Sequence, residues 1–310
     1  MNGQVDALVT QAALARGSFN WLESIELLRE ALALDSTHAR AHAELALSLV
    51  EARRLRAAER EGTLALGYAT AGDDASATAH AHYALGAVHA AQRRPIAAWA
   101  HCERALATSA MHVDARILGA YVKDQVGDAT AALELARGAL ALHPDDPHAL
   151  AVHAVFQSRI DVAVADASIQ RALTLAPLDP EVNLAAARIA LAAHDNIDGA
   201  RKHLRVVLGR DSYHREALSM WLAIKGRTEP VATHLWRLGL WMRRTIDLED
   251  YAVICAWMVI ATLASIIARH VGAVAIANYL RYAWVVFFAG VWIARYLSTS
   301  FDAEVNGLPG

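Results

Sequence analysis

The sequence is poor in the features that usually announce chemistry. Its 310 residues contain two cysteines, Cys102 and Cys255, far apart and in different kinds of segment. No CxxC is present, so neither a disulfide framework nor a zinc knuckle is expected. No GxSxG, HExxH, Walker A or GxGxxG occurs, which removes the common hydrolase, metalloprotease, nucleotide-binding and dinucleotide-binding signatures. Charge of one sign is also lacking: 29 basic against 32 acidic residues leave a net charge of −3. That excludes a general nucleic-acid footprint. Charged residues make up only 20% of the chain, while 55% is hydrophobic and the mean hydropathy is +0.24. That balance is apolar for an ordinary soluble protein and points to contact with lipid. Hairpin dipeptides and β-branched runs are scarce up to about residue 225. Up to that point the prolines, Pro95, Pro144, Pro147, Pro177 and Pro180, fall between helical patterns or at their starts, where helices tolerate them.

What is there is alanine and leucine at helical spacing, with a long period. An Ala-Leu pair recurs at Ala31-Leu32, Ala65-Leu66, Ala105-Leu106, Ala139-Leu140 and Ala172-Leu173, with a degenerate copy at Val206-Val207. The steps are 34, 40, 34, 33 and 34 residues. Seven residues before each pair stands a small residue: Ser24, Ala58, Ala98, Ala132, Ala165 and Gly199. Five residues after the pair come Ser36, Thr70, Ala110, Pro144, Pro177 and Asp211. The linkers 143–147 (HPDDP) and 176–180 (APLDP) each stop one helix and start another. The 40-residue step absorbs an insertion near Thr70–Thr78, with Gly72-Asp73-Asp74 read as a loop.

A helix pair every 34 residues with small residues at the crossing resembles the tetratricopeptide repeat (TPR) family. Leu85-Gly86 matches the family's L-G pair, with His82 and His89 where the signature has aromatics. Trp21 stands where an aromatic often opens the second helix. The resemblance covers roughly residues 5–225, about six repeats. The family's aromatic after the small residue is degenerate here (Leu28, Gly62, Cys102, Ala136, Ile169, His203). It implies an all-α solenoid whose helix pairs bury their apolar stripes only by stacking, leaving a concave groove for a partner segment.

The family's groove is lined by the second, fifth and ninth residues of each first helix. On this sequence those positions are Asp6, Val9, Ala13; Arg40, Ala43, Leu47; His80, Tyr83, Ala87; Asp114, Ile117, Tyr121; His148, Ala151, Val155; and Glu181, Leu184, Arg188. The residues that would carry recognition are Arg40, Leu47, His80, Tyr83, Ile117, Tyr121, His148, Val155 and Arg188. The Lys/Asn/Arg set of carboxylate-clamp relatives is missing. An apolar helix or extended protein segment therefore suits the groove better, and tyrosines at its centre suit a binding hot spot. A competing reading packs these side chains inside the solenoid. A register shift is open too, since Leu118-Gly119 can serve as an L-G pair.

From residue 226 the composition changes. Residues 226–250 begin with Gly226 and Pro230 and place Leu235, Leu238 and Met242 on one helical face. Trp236 and Trp241 flank that face beside Arg237, Arg243 and Arg244. This reads either as an amphipathic helix at a membrane interface or as the cap a solenoid needs. Residues 251–268 form an uncharged run of 18, and 271–294 a second apolar stretch of 24 broken only by Arg281. Both approach spanning length, so 251–297 is expected to form a transmembrane helical hairpin, followed by a tail, 298–310. Arg281 lies either within the membrane, where a charge is costly, or at its interface with the span starting near Tyr282.

The polar start MNGQVD lacks the features of a signal peptide. Arg237, Arg243, Arg244 and Arg295 flank the outer ends of the hairpin. The expected placement is the inner (cytoplasmic) membrane, with repeats and both termini cytosolic. Ala/Arg richness suggests a bacterial source.

The 15 histidines are the one compositional oddity. His38 and His42 lie one turn apart, but no cysteine or carboxylate cluster completes a metal site, so neither metal nor cofactor is expected. Cys102 falls in a helix-packing phase, with no base to activate it. The leading reading is a membrane-anchored scaffold that binds a protein or peptide without chemistry. In the alternative, the hairpin carries the function as a subunit of a larger membrane or translocation complex, self-associating through Ala261, Ala264, Ser265 and Gly290.

Overall fold

The computed structural model describes residues 2–18, 20–212 and 214–228. Among them every regular element is an α-helix. The pairs are α1 (Asn2–Gly17) with α2 (Trp21–Leu34), α3 (Ala39–Glu51) with α4 (Leu55–Ala71), and α5 (Ala75–Ala91) with α6 (Pro95–Thr108). There follow α7 (Val113–Gln125) with α8 (Ala129–Leu142), α9 (Pro147–Gln157) with α10 (Val162–Leu175), then α11 (Pro180–Ala192), α12 (Ile197–Arg210) and α13 (Arg215–Thr228). The architecture is an all-α, TPR-like helical repeat.

The period written in the sequence is a packing period. Ala31, Ala65, Ala105, Ala139 and Ala172 are all fully buried, as are Ser24, Ala58, Ala98, Ala132 and Ala165 seven residues earlier. Both sets lie on the second helix of each pair, where a small side chain lets the first helix approach. Gly86 shows how close: a Cβ there would stand 3.2 Å from Cys102 Sγ and 3.4 Å from the Ala98 carbonyl. The linkers work through caps. Asp146 and Asp179 accept backbone N–H bonds at the starts of α9 and α11, each followed by proline at the first helical position. The extra residues of the 40-residue step lengthen α4 and α5 to 17 residues each, around the turn at Gly72–Asp74.

The chain divides into two compact units, Met1–Asn196 and Ile197 onward. In the first, each odd-numbered helix touches the next, from α1–α3 to α9–α11, while the even-numbered helices make no comparable contact with one another. The first helices therefore line the inner side of the stack. In the second unit, α12 packs on α13, burying Leu204, Val207, Leu208 and Trp221.

Residues 229–310 lie outside the described residues. They hold the expected hairpin at 251–297 and tail at 298–310, and almost all of the segment 226–250. Trp236, Arg237, Trp241, Arg243, Arg244 and Arg281 lie there too. Among the described residues no helix is long and apolar enough to cross a membrane.

Candidate functional site

The inner face is built by α3, α5, α7, α9 and α11. At its centre Tyr83 of α5 is partly exposed and sits against two imidazoles, with ring centroids 5.7 Å from His80 and 5.1 Å from His112. His80 and His112 stack at 5.7 Å with their planes 15° apart. His112 is the N-cap of α7. Its Nδ1 accepts the Ala115 N–H at 3.3 Å, so a neutral ring carries its proton on Nε2. Burial, and then the neighbouring His80, hold His112 below the usual histidine range.

Beneath this cluster lies an ion pair. Glu44 of α3 is 3% exposed; it accepts Arg16 Nη2 at 3.0 Å and His80 Nε2 at 2.9 Å. Burial alone would raise the Glu44 carboxyl, but the His80 hydrogen bond and the Arg16 charge more than offset it and bring it to about 2. Burial, then the Asp114 charge, pushes the Tyr83 phenol above its ordinary value, so it remains a neutral donor.

Further along the face Tyr121 of α7 is partly exposed. It packs on Phe156 of α9 (centroids 5.7 Å) and lies 5.2 Å beneath the Arg188 guanidinium of α11. A tyrosine under a guanidinium presents an amphipathic surface of the kind common at binding hot spots.

The structure thus brings His80, Tyr83, Ile117, Tyr121 and Arg188 to the inner helices, partly exposed, with Arg40 exposed. His148 is exposed and engaged, its Nε2 3.1 Å from Asp179 Oδ2, a hydrogen bond that raises its pKa. Leu47 and Val155 differ. They are only 5% and 9% exposed, members of the core clusters between repeats. The competing reading, packing within the solenoid, describes these two, because the ninth position of α3 and α9 points between adjacent first helices.

Arg16, Glu44, His112 and Phe156 were not among the expected site residues. One of them has a legible signal. His112, like its counterpart His38, lies seven residues after the alanine of an Ala-Leu pair, the position that Asp146 and Asp179 occupy as caps elsewhere.

The histidine pair His38 and His42 does not share a ligand. His38 Nε2 bonds Asp6 at 3.2 Å, while His42 bonds Glu61 at 2.7 Å and the Ser36 carbonyl at 3.1 Å. His82, His89 and His101 gather between α5 and α6, with His101 held down to about 4 by burial and its two neighbours. Among the described residues no group of three potential ligands is arranged to hold a metal. Burial pushes the Cys102 thiol up to about 12, consistent with a packed small hydrophobe.

No protein-family model matches this chain, and no curated protein matches it. Solved structures do. One chain of the Cut9–Hcn1 hetero-tetramer of the APC/C is similar over 70% of this chain and 42% of its own, at 15% identity and a TM-score of 0.54. A thermophilic TPR protein of Thermus thermophilus, TTC0263, is similar over 60% of this chain and 99% of its own, at 16% identity and a TM-score of 0.49. PilF of Pseudomonas aeruginosa matches over 71% of this chain and 97% of its own, at 18% identity and a TM-score of 0.47. At such identities the likeness concerns the fold.

Proposed function

We propose that this chain is a scaffold that holds a segment of another protein along the inner helices. In the same reading the apolar runs at 251–268 and 271–294 tether it to a membrane. The observation that carries the binding role is the pair of partly exposed tyrosines, Tyr83 and Tyr121, on neighbouring first helices. Each is braced by aromatic or cationic neighbours. Rigid aromatic side chains lose little conformational freedom on binding, which makes them efficient anchors. No step of chemistry is required. Tethering would raise the local concentration of the bound segment, so modest contacts suffice.

The test places a photo-crosslinking phenylalanine derivative at position 83 or 121 of the full chain, and at exposed Leu64 or Val164 on the second helices as controls. The expected result is a discrete protein adduct from 83 and 121 alone. Equal adducts from all four positions, or adducts only from 64 and 164, would overturn the assignment of the inner face. For the tether, the full chain is expected to resist alkaline carbonate extraction from membranes and a chain ending at 225 to be released. Release of both removes the membrane part of the proposal.

A further inference from the structure

Three turns between a first and a second helix follow one backbone path. They are Ala52-Arg53-Arg54 after α3, Gln92-Arg93-Arg94 after α5 and Val126-Gly127-Asp128 after α7. In each, the last residue's N–H donates to the carbonyl five residues back: Arg54 to Leu49, Arg94 to His89 and Asp128 to Lys123, all at 2.9 Å. The middle residue is left-handed every time, with φ of +59° at Arg53, +61° at Arg93 and +86° at Gly127. Glycine suits that conformation and a side chain disfavours it. The residue after it precedes the next helix. Asp128 caps α8 there with its carboxylate, as Asn20 and Asp161 cap α2 and α10, whereas Arg54 and Arg94 make no side-chain cap. A cation at a helix N-terminus also opposes the helix dipole.

Two neighbouring turns therefore depart twice from what local folding favours, each time for arginine. Local strain kept at specific residues is a mark of function. The result is a dense basic edge. Arg53, Arg54, Arg56, Arg93 and Arg94 are all exposed. The side chains of Arg53, Arg54, Arg56 and Arg93 have no hydrogen bond or ion pair among the described residues, and Arg94 reaches Glu59 only at 3.9 Å. Gln92 bonds Glu59 of α4 at 2.8 Å, which fixes the second turn beside the first. Ile96, just after the second turn, is 81% exposed. Glu51 and Glu59 are the acidic neighbours. The corresponding turns further on place Asp128 and Asp161 before the next helix, and their one basic residue, Arg159, is paired with Asp124, so the unpaired basic character belongs to the second and third repeats.

We propose that this edge docks on an anionic lipid bilayer. Guanidinium groups bind phosphate oxygens in paired hydrogen bonds, and an exposed aliphatic side chain among them suits the headgroup boundary. An acidic protein would match the charge but leave Ile96 unexplained. The chain also carries the apolar runs at 251–268 and 271–294. The proposal rests on the tether reading for the nearness of a membrane and is independent of what the inner helices hold.

The test measures hydrogen exchange on the full chain with vesicles of phosphatidylcholine alone or with about one-third phosphatidylglycerol. Peptides covering 51–57 and 91–97 are expected to exchange about tenfold more slowly with the anionic vesicles, and to lose that protection at about 0.5 M salt. A variant with Arg53→Gly, Arg54→Asp, Arg93→Gly and Arg94→Asp copies the Gly127-Asp128 turn at both sites. It should melt no lower than the native chain yet show no lipid-dependent protection. Equal exchange with both vesicles, or protection that survives in this variant, would overturn the proposal. So would protection by soluble polyglutamate but not by anionic vesicles.

Discussion

At the scale of single residues, the inner face rests on a buried charge. Glu44 is held by Arg16 and His80, and removing it leaves the part-buried Arg16 without its counter-ion. Glu44→Ala should cost about 3 kcal/mol in urea unfolding, because stranding one partner of a buried pair is costlier than never burying it. A loss well under about 1 kcal/mol would show that the network contributes little. Histidines set the response to acid. In the first unit, burial first of all lowers the pKa of His82, His101, His112 and His153. Below an unfolded value of about 6.5 the unfolded chain binds more protons at these sites, so stability falls as pH drops from there towards the His101 value of about 4. His148 acts oppositely. Its pKa is raised by Asp179, so its contribution is present below about 6.5 and lost as pH rises through its folded value. Four groups against one predict a lower melting temperature at pH 5 than at pH 7.5; an unchanged or higher one would contradict this.

At the scale of elements, caps explain where the helices begin. Asp128 accepts the Ala131 N–H at 3.1 Å, and Asp128→Ala should destabilise by about 1 kcal/mol. Arg54→Asp should stabilise by a similar amount, since it supplies α4 with the cap it lacks and a favourable charge for its dipole. Chemical denaturation of the two single variants checks both signs. If Arg54→Asp proves destabilising, the arginine makes a compensating contact and no stability is sacrificed at this turn. The linkers at 143–147 and 176–180 were legible as helix boundaries because proline and aspartate each have one mechanism there. The histidine caps were less so, since imidazole at such a position is told from a surface histidine only by the repeat phase.

At the scale of the whole described chain, each repeat meets only its neighbours, so stability should be distributed along the stack rather than pooled in one core. Gly86→Val tests this. The added side chain meets Cys102 and the Ala98 carbonyl and should cost about 2–3 kcal/mol. Native-state hydrogen exchange should then show protection lost most in α5 and α6 and progressively less towards α1 and α10. A uniform loss over all helices would mean that the first unit unfolds as a single cooperative body.

The sequence by itself determined the helical class, the phase of the repeats and most of their boundaries. These follow from local chemistry: alanine where helices cross, proline and aspartate where they start, and a period set by the length of two helices and their turns. The resemblance to the TPR family also pointed to Tyr83, Tyr121 and Arg188, through the groove positions it implies, and all three lie on inner helices. Which members of that set reach solvent was decided only by tertiary structure. Leu47 and Val155 share a register position with Tyr121, yet they are covered because a neighbouring first helix lies close against them. The Arg16–Glu44–His80 network joins residues 28 and 36 positions apart. The basic edge joins turns from successive repeats. Neither pairing has a signature along the chain, since both arise from the angle at which one helix pair stacks on the next.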